Sequence, residues 1–264
     1  MRIGFVGAGR MGVPMIRRLV AAGHSVRAVG RKPAAREAIN SVGATAVGSA
    51  AEAGHDAEAV VICVFTDEQV REVCLGSGLL ETMPRDAVLI LHTTGSPDTA
   101  TAIAAATTRH HVVDAPVSGG PHNIADGAIT VFLGGSPEAA GRARPVLAAY
   151  ADPVLPVGAL GNGQRVKLVN NALFAAQIGL VTEAVRLAGE LGLAESEVLA
   201  ALPHASSSSR AVLSIAAKGS VAAFSESVGE FLRKDVAVAR ELAGRLGGDL
   251  GLLAPAIHAA VGPS

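Results

Sequence analysis

Ile3-Gly4-Phe5-Val6-Gly7-Ala8-Gly9-Arg10-Met11-Gly12-Val13-Pro14-Met15 places a short apolar strand directly before a G-x-G-x-x-G turn that runs into a helix. The three glycines have separate tasks in such a turn. Gly7 permits the tight bend, Gly9 lets backbone approach a pyrophosphate, and Gly12 lets the helix lie close to the strand. A dinucleotide's phosphates then sit at a helix N-terminus, where N–H groups and the helix dipole favour negative charge. In a chain with 31 glycines the spacing alone is weak. The strand before it, and Met11, Met15, Ile16, Leu19 and Val20 at helical spacing after it, favour a phosphate cradle over an ordinary turn. Gly7, Ala8, Gly9, Arg10, Met11 and Gly12 are therefore candidate cofactor-binding residues.

The next expected strand, Ser25–Val29, ends in Gly30-Arg31-Lys32, where an NAD site would carry an acidic residue for the ribose 2′-hydroxyl. The first acidic residue of the chain is Glu37. Arg31 and Lys32 instead suit a 2′-phosphate, so the charge pattern favours NADP, with NAD still possible. The bland reading is a solvated basic turn.

Composition narrows the function classes. The chain has 264 residues, 50% hydrophobic and 17% charged, enough for a substantial core in one large or two ordinary domains. A net charge of −1 and 3% aromatics supply neither the basic footprint nor the stacking platform that nucleic acid requires. Cys63, inside an apolar strand, and Cys74 lack C-x-x-C spacing, which argues against a disulfide framework or a metal site and fits a reducing cytoplasm. The N-terminal apolar run is broken by glycines and Arg10, unlike a signal peptide, and no uninterrupted apolar stretch reaches membrane-spanning length.

Strands are expected at Arg2–Val6, Ser25–Val29, Ala59–Phe65, Ala87–His92, His111–Ala115, Thr130–Gly134 and Pro153–Val157, separated by helices or turns. That alternation is an α/β doubly wound parallel sheet with additions, a Rossmann domain over residues 1–161. From Gln164 to about Leu191 the pattern becomes one long helix, and only helical segments follow, giving a smaller all-α domain over 162–264. Ser206-Ser207-Ser208-Ser209 reads as a polar loop or helix start.

Two further stretches carry chemistry. Asp114-Ala115-Pro116-Val117-Ser118-Gly119-Gly120 leaves the C-terminal end of a strand, where open α/β sheets bind ligands. Ser118 offers a hydroxyl, and the backbone N–H groups of Gly119 and Gly120 could hold a carboxylate; an ordinary glycine-rich turn explains the stretch equally well. Gln164-Arg165-Val166-Lys167-Leu168-Val169-Asn170-Asn171 places Lys167 and Asn171 four apart on one helix face, so a cation and an amide can address one ligand. Helical lysines are usually solvated, but Val166, Leu168 and Val169 flank this one where the α/β pattern ends.

Together these stretches resemble the β-hydroxyacid dehydrogenase family, which includes 3-hydroxyisobutyrate dehydrogenases and glyoxylate/succinic semialdehyde reductases. The resemblance covers nearly the whole chain. It rests on Gly7 to Met15, Asp114 to Gly120, Gly163 through Lys167 to Asn171, and Phe231-Leu232-Arg233-Lys234-Asp235. It implies that Lys167 is the catalytic lysine, that Ser118, Gly119, Gly120 and Asn171 bind substrate, and that Lys234 flanks the cofactor. Thr94 matches a threonine near the nicotinamide, Val64-Phe65 the loop beside the adenosine half, and Arg31 an arginine of NADP-preferring members. The implied partner is a small carboxylate with a hydroxyl or carbonyl nearby, without any metal, in a homo-oligomer, dimer or tetramer.

Hydride transfer at an alcohol carbon requires a proton to move at its oxygen, which a lysine can deliver or remove. Desolvation and a positive nicotinamide ring both disfavour the ammonium. Two departures from the family pattern stand out. Ile124 occupies a position where relatives carry alanine, which implies a reshaped substrate loop, and the end after Leu252-Leu253-Ala254-Pro255 reads as a shortened small domain. His122 is a candidate substrate contact or a solvated loop residue. The alternatives are an imine reductase, disfavoured because such enzymes replace the lysine, and a non-catalytic NADP-binding module, disfavoured by Lys167 and Asn171 together.

Overall fold

Strand β1 (Arg2–Val6) is buried on both faces, Ile3 and Phe5 facing one core and Val6 the other. The computed structural model describes residues 1–261, and the last three residues of the expected helical domain lie outside that range. The chain divides into two compact units, Met1–Lys167 and a second that begins at Leu168.

In the first unit β1 is followed by β2 (Ser25–Val29), β3 (Thr45–Val47), β4 (Ala59–Ile62), β5 (Val88–Leu91), β6 (His111–Asp114), β7 (Val117–Ser118), β8 (Ile129–Gly134) and β9 (Ala151–Gly158). They form one sheet in the order β3-β2-β1-β4-β5-β6-β8-β7, with β9 pairing β8. β1 to β6 are parallel, the order of a doubly wound dinucleotide-binding sheet. The sheet as a whole is mixed: β8 runs antiparallel to β6 and β7, and β9 runs parallel to β8. β3 and β7 were not among the expected strands, and β4 stops at Ile62, so Cys63 lies just past the strand.

The helices are α1 (Gly12–Ala21), α2 (Pro33–Ser41), α3 (Ala50–Gly54), α4 (Asp67–Leu75), α5 (Leu79–Thr82), α6 (Pro97–Ala105), α7 (Pro121–Ala125) and α8 (Pro137–Leu147). They cover both faces. Met15, Ile16 and Leu19 of α1 and Val146 and Leu147 of α8 pack with Val61 and Ile90, while Val70 and Val73 of α4 and Ile103 of α6 pack with Val60 and Leu89. Alternate residues of β4 and β5 thus enter opposite cores, which is why these strands read as continuous apolar runs. Ile124 is fully buried in the first of these cores, so this departure from the family pattern is a packing residue.

α9 (Asn162–Glu190) begins in the first unit and continues into the second. After it come α10 (Glu195–Ala201), a 3-10 turn (Leu202–His204), α11 (Arg210–Lys218), α12 (Val221–Arg245) and α13 (Leu253–Val261). The core of the second unit joins Ala172, Ala175, Ile178 and Val181 of α9 to Val212 and Ile215 of α11 and Leu232 and Val236 of α12. The serine patch ends in a cap, Ser209 Oγ accepting from the Val212 N–H at 3.2 Å. By length and composition α9 could cross a membrane, with mean hydropathy 1.3 in its most apolar window, although Asn170, Asn171 and Gln177 interrupt its sequence. Ala172, Ala175, Ile178 and Val181 of this helix are buried in the second core.

Candidate active site

The turn after β1 realises the separate glycine tasks. A Cβ on Gly7 would stand 2.0 Å from the Cys63 carbonyl oxygen, and its φ of +111° suits glycine. A Cβ on Gly12 would stand 2.0 Å from the Gly7 carbonyl oxygen, so glycine lets α1 start against the turn. Gly9 faces open space, with no heavy atom within 4 Å of a built Cβ. α1 also has no side-chain cap at Met11 and no acidic residue in its first turn, unlike α3, α4, α6 and α8, which carry Ser49, Thr66, Ser96 and Ser136 as caps. An open glycine beside an uncapped helix N-terminus fits a pyrophosphate.

Arg31 and Lys32 are both exposed and follow the end of β2, which lies beside β1 in the sheet. Behind them Arg36 Nε donates to the Gly30 carbonyl at 2.9 Å, bracing the same turn. The basic pair therefore stands at the carboxyl edge next to the glycine turn, the place a ribose 2′ substituent reaches.

Val64 and Phe65 leave the end of β4, and Thr94 leaves the end of β5. The Thr93 hydroxyl joins the two exits, donating to the Val64 carbonyl and accepting the Val64 N–H, both at 3.0 Å. Asp67 Oδ2 accepts the Ser96 N–H at 2.8 Å, and a Cβ on Gly95 would collide with that carboxylate. Thr94 is thus carried on a loop fastened on both sides.

Asp114, at the end of β6, is fully buried. Its Oδ1 accepts the Gly161 N–H and its Oδ2 the Gln164 N–H, each at 2.7 Å, so a carboxylate seats the N-terminus of α9. Burial pushes its carboxyl above the usual range, and the two backbone donors pull the other way. The Gln164 amide then reaches the β5 exit: Nε2 donates to the Thr93 carbonyl at 2.9 Å and Oε1 accepts the Gly95 N–H at 3.0 Å. Lys167 follows within the next turn of α9 and is 8% exposed, a level rare for lysine on an ordinary helix face.

Ser118 lies in β7, followed by Gly119 with φ +133°. The Gly120 N–H donates to Asn123 Oδ1 at 2.9 Å, so of the two backbone donors expected for a carboxylate this one is engaged within the chain. His122 is exposed in the first turn of α7.

In the second unit Asn171 is 2% exposed, and its Nδ2 donates to Asp235 Oδ2 at 2.5 Å while its Oδ1 accepts from Asn170 at 2.9 Å. Lys234 Nζ lies 2.7 Å from Asp235 Oδ1. Asn171 and Lys234, expected separately as substrate and cofactor contacts, therefore share one carboxylate. Asp67 was not among the expected site residues, and Asp114, Gln164 and Asp235 were noted only as parts of their motifs.

Comparison with known proteins gives two family matches that together span almost the whole chain. Residues 2–159 match the NAD binding domain of 6-phosphogluconate dehydrogenase, and residues 161–259 match the NAD-binding domain of NADP-dependent 3-hydroxyisobutyrate dehydrogenase. A probable 3-hydroxyisobutyrate dehydrogenase of Mycobacterium bovis is 37% identical over 193 residues, covering 72% of this chain and 65% of that protein. An NAD-dependent L-serine dehydrogenase of Pseudomonas aeruginosa is 33% identical over 209 residues, 78% of this chain and 70% of its own length. These matches span about two thirds of the curated relatives' length. Among solved structures, Mycobacterium tuberculosis 3-hydroxyisobutyrate dehydrogenase with L-serine superposes with TM-score 0.84 at 29% identity, covering 97% of this chain and 90% of that one.

Proposed function

The chain belongs to the 3-hydroxyisobutyrate dehydrogenase (β-hydroxyacid dehydrogenase) family, and from that premise we propose an oxidoreductase that interconverts a small 3-hydroxy acid and its aldehyde or keto acid. NAD(P), when bound, supplies or accepts the hydride. The glycine turn and the uncapped N-terminus of α1 hold its pyrophosphate, and Arg31 with Lys32 holds a 2′-phosphate, so NADP is the preferred form. The relatives include an NADP-dependent 3-hydroxyisobutyrate dehydrogenase and an NAD-dependent L-serine dehydrogenase, and the preference rests on these two cations.

The observation that carries the reading is the burial of Lys167 on a helix turn that Asp114 seats at the carboxyl edge of the sheet. There the ammonium of Lys167 donates a proton to the carbonyl oxygen in reduction, and the neutral amine removes the hydroxyl proton in oxidation. The substrate contacts that the family resemblance implies are Ser118, with the backbone beside it, in the first unit, and Asn171, whose amide Asp235 orients, in the second. We place the enzyme in the cytoplasm.

We further read the partner as a second copy of this chain. Val166, Leu173, Leu180 and Leu187 recur every seven residues along α9 and are 37%, 48%, 61% and 51% exposed. A two-fold antiparallel pairing sets Val166 against Leu187 and Leu173 against Leu180, and brings Arg165 towards Glu190 of the other copy.

The test is reduced-nicotinamide absorbance with small aldehyde acids in one direction and 3-hydroxy acids in the other, on the wild type and on Lys167→Ala. NADPH turnover that falls by about 10²-fold or more in Lys167→Ala, with NADPH binding kept, supports the lysine as general acid/base. Near-normal turnover in that variant sinks the assignment. Tight NADPH binding without turnover on any acid favours a binding module.

A further inference from the structure

Gln164 joins two parts of the site that the chain reaches separately. Its side-chain amide grips the loop after β5 on both sides of Thr94, through the Thr93 carbonyl and the Gly95 N–H, and it is 3% exposed. The two partners also fix which way the amide points, because a carbonyl needs the NH2 end and an N–H needs the oxygen. Its backbone N–H is held by Asp114 Oδ2, so neither end of the residue is left to move. Lys167 is three residues further along the helix and therefore on the same face. Gly163, immediately before Gln164, completes the fit: a Cβ there would stand 2.5 Å from the Phe132 carbonyl oxygen and 2.8 Å from Asp114 Oδ2.

We propose that Gln164 is the positioning residue for the chemistry assigned above, clamping Thr94 on the cofactor side and Lys167 on the proton-transfer side into one rigid spacing, with Asp114 as its anchor. The idea rests on that reading of Lys167 and Thr94. Its physical content is distance control. Hydride and proton must move at adjacent atoms, and a misplacement of about 1 Å between a catalytic group and its target can lower a rate about 10²-fold. The Thr93 and Asp67 hydrogen bonds hold the loop against β4 and α4, and these bonds do not refer to the helix that carries Lys167. The Gln164 amide supplies that reference.

Gln164→Met keeps the volume and removes both hydrogen bonds. The expected result is a kcat about 10–100-fold lower with little change in KM for NADPH, and a larger isotope effect with reduced cofactor deuterated at the transferred position. A methionine variant with wild-type kcat overturns the proposal. Gln164→Glu adds a signature that a filler role would not give. Only its protonated form can donate to the Thr93 carbonyl while accepting from Gly95, so its activity relative to wild type should rise as pH falls. Parallel pH profiles for the two proteins also overturn the proposal, and this comparison decides if the methionine variant does not fold.

Two measurements on the protein without cofactor separate this idea from the proposed function. Amide hydrogen exchange at Gly95 should accelerate in Gln164→Met, and the rate at which an acylating reagent modifies Lys167 should change. If the wild type turns over no acid, the functional reading fails, while these two readouts still decide the clamp: unchanged exchange and unchanged labelling reject it.

Discussion

The imidazole of His92 and the phenol of Tyr150 form a buried pair, His92 Nε2 lying 2.7 Å from the Tyr150 hydroxyl with the rings edge to face at 5.7 Å. His92 Nδ1 lies 2.5 Å from the Ala115 carbonyl oxygen, an acceptor that requires the hydrogen on Nδ1 and leaves Nε2 to accept from tyrosine. The neutral ring thereby ties the end of β5 to the end of β6, just ahead of Thr94 in the loop after β5 and of Ser118 in β7. Burial lowers the His92 pKa to about 4 and raises that of Tyr150.

This pair makes stability depend on pH. The unfolded chain protonates His92 near its ordinary 6.5 and the folded protein only near 4, so the unfolded state binds more protons between those values. Stability is full above about pH 6.5, declines as pH falls towards 4, and loses up to about 3 kcal/mol from this residue. In His92→Asn the denaturant midpoint should vary less over that window, although the variant is weaker overall. The difference between the two proteins isolates His92 from His24, whose pKa is also lowered by burial, and from Asp114, whose pKa is raised. Identical pH slopes would show that the ring does not govern the acid limb.

Gly9 and Gly12 should separate binding from folding. An alanine methyl at Gly12 meets the Gly7 carbonyl oxygen, so Gly12→Ala should lower stability by about 1–3 kcal/mol through forced backbone movement. The same change at Gly9 meets no protein atom within 4 Å. Gly9→Ala should therefore melt like wild type yet bind NADPH about tenfold or more weakly, because its methyl projects where the pyrophosphate approaches. Thermal melting beside NADPH fluorescence titration checks both; unchanged affinity in Gly9→Ala would move the cradle elsewhere.

Arg31 sets the cofactor preference in the proposed function. A hydrogen bond to a charged group contributes about 1.5–3 kcal/mol, so Arg31→Ala should lower kcat/KM for NADPH by about 10–100-fold and leave that for NADH within a few-fold. Equal losses with the two cofactors would mean that Arg31 does not contact the 2′-phosphate, leaving Lys32 and Arg36 as the remaining cations of the turn.

Much of this architecture was legible because it is local. The strand and glycine turn of residues 3–12, the apolar runs at β4 and β5, and the change to unbroken helix near Asn162 are all written in contiguous residues, as a glycine spacing, an unbroken apolar run or a period of 3.6. β3 and β7 were missed because three and two residues are too few to show a period. β4 ends before its apolar run does, since Val64 turns its backbone groups to the Thr93 hydroxyl. The supporting side chains were invisible for another reason. Gln164 meets partners 69 and 71 residues away, Asp114 partners 47 and 50 away, and Asp235 its asparagine 64 away. No local pattern encodes such pairs, so the lysine and the glycines could be read while the groups that orient them could not.

The leucine stripe of α9 yields the remaining prediction. Leu173 and Leu180 lie at the centre of the proposed antiparallel pairing, each facing the other residue of the second copy, and each leaves about half or more of its surface exposed in the single chain. Burying the half of each side chain that is still exposed contributes roughly 1–1.5 kcal/mol, and the two-fold axis counts every contact twice. Leu180→Glu places a carboxylate against that apolar centre in both copies, where it must be desolvated without a cation opposite. Sedimentation velocity should show the wild type as a dimer or larger and Leu180→Glu shifted towards monomer, with its melting temperature lower and concentration-dependent. Leu246→Glu, whose side chain is 78% exposed outside the stripe, serves as the control and should leave the assembly intact. A Leu180→Glu protein that sediments like wild type would place the interface on another surface, and a monomeric wild type would remove the second copy from the functional reading altogether.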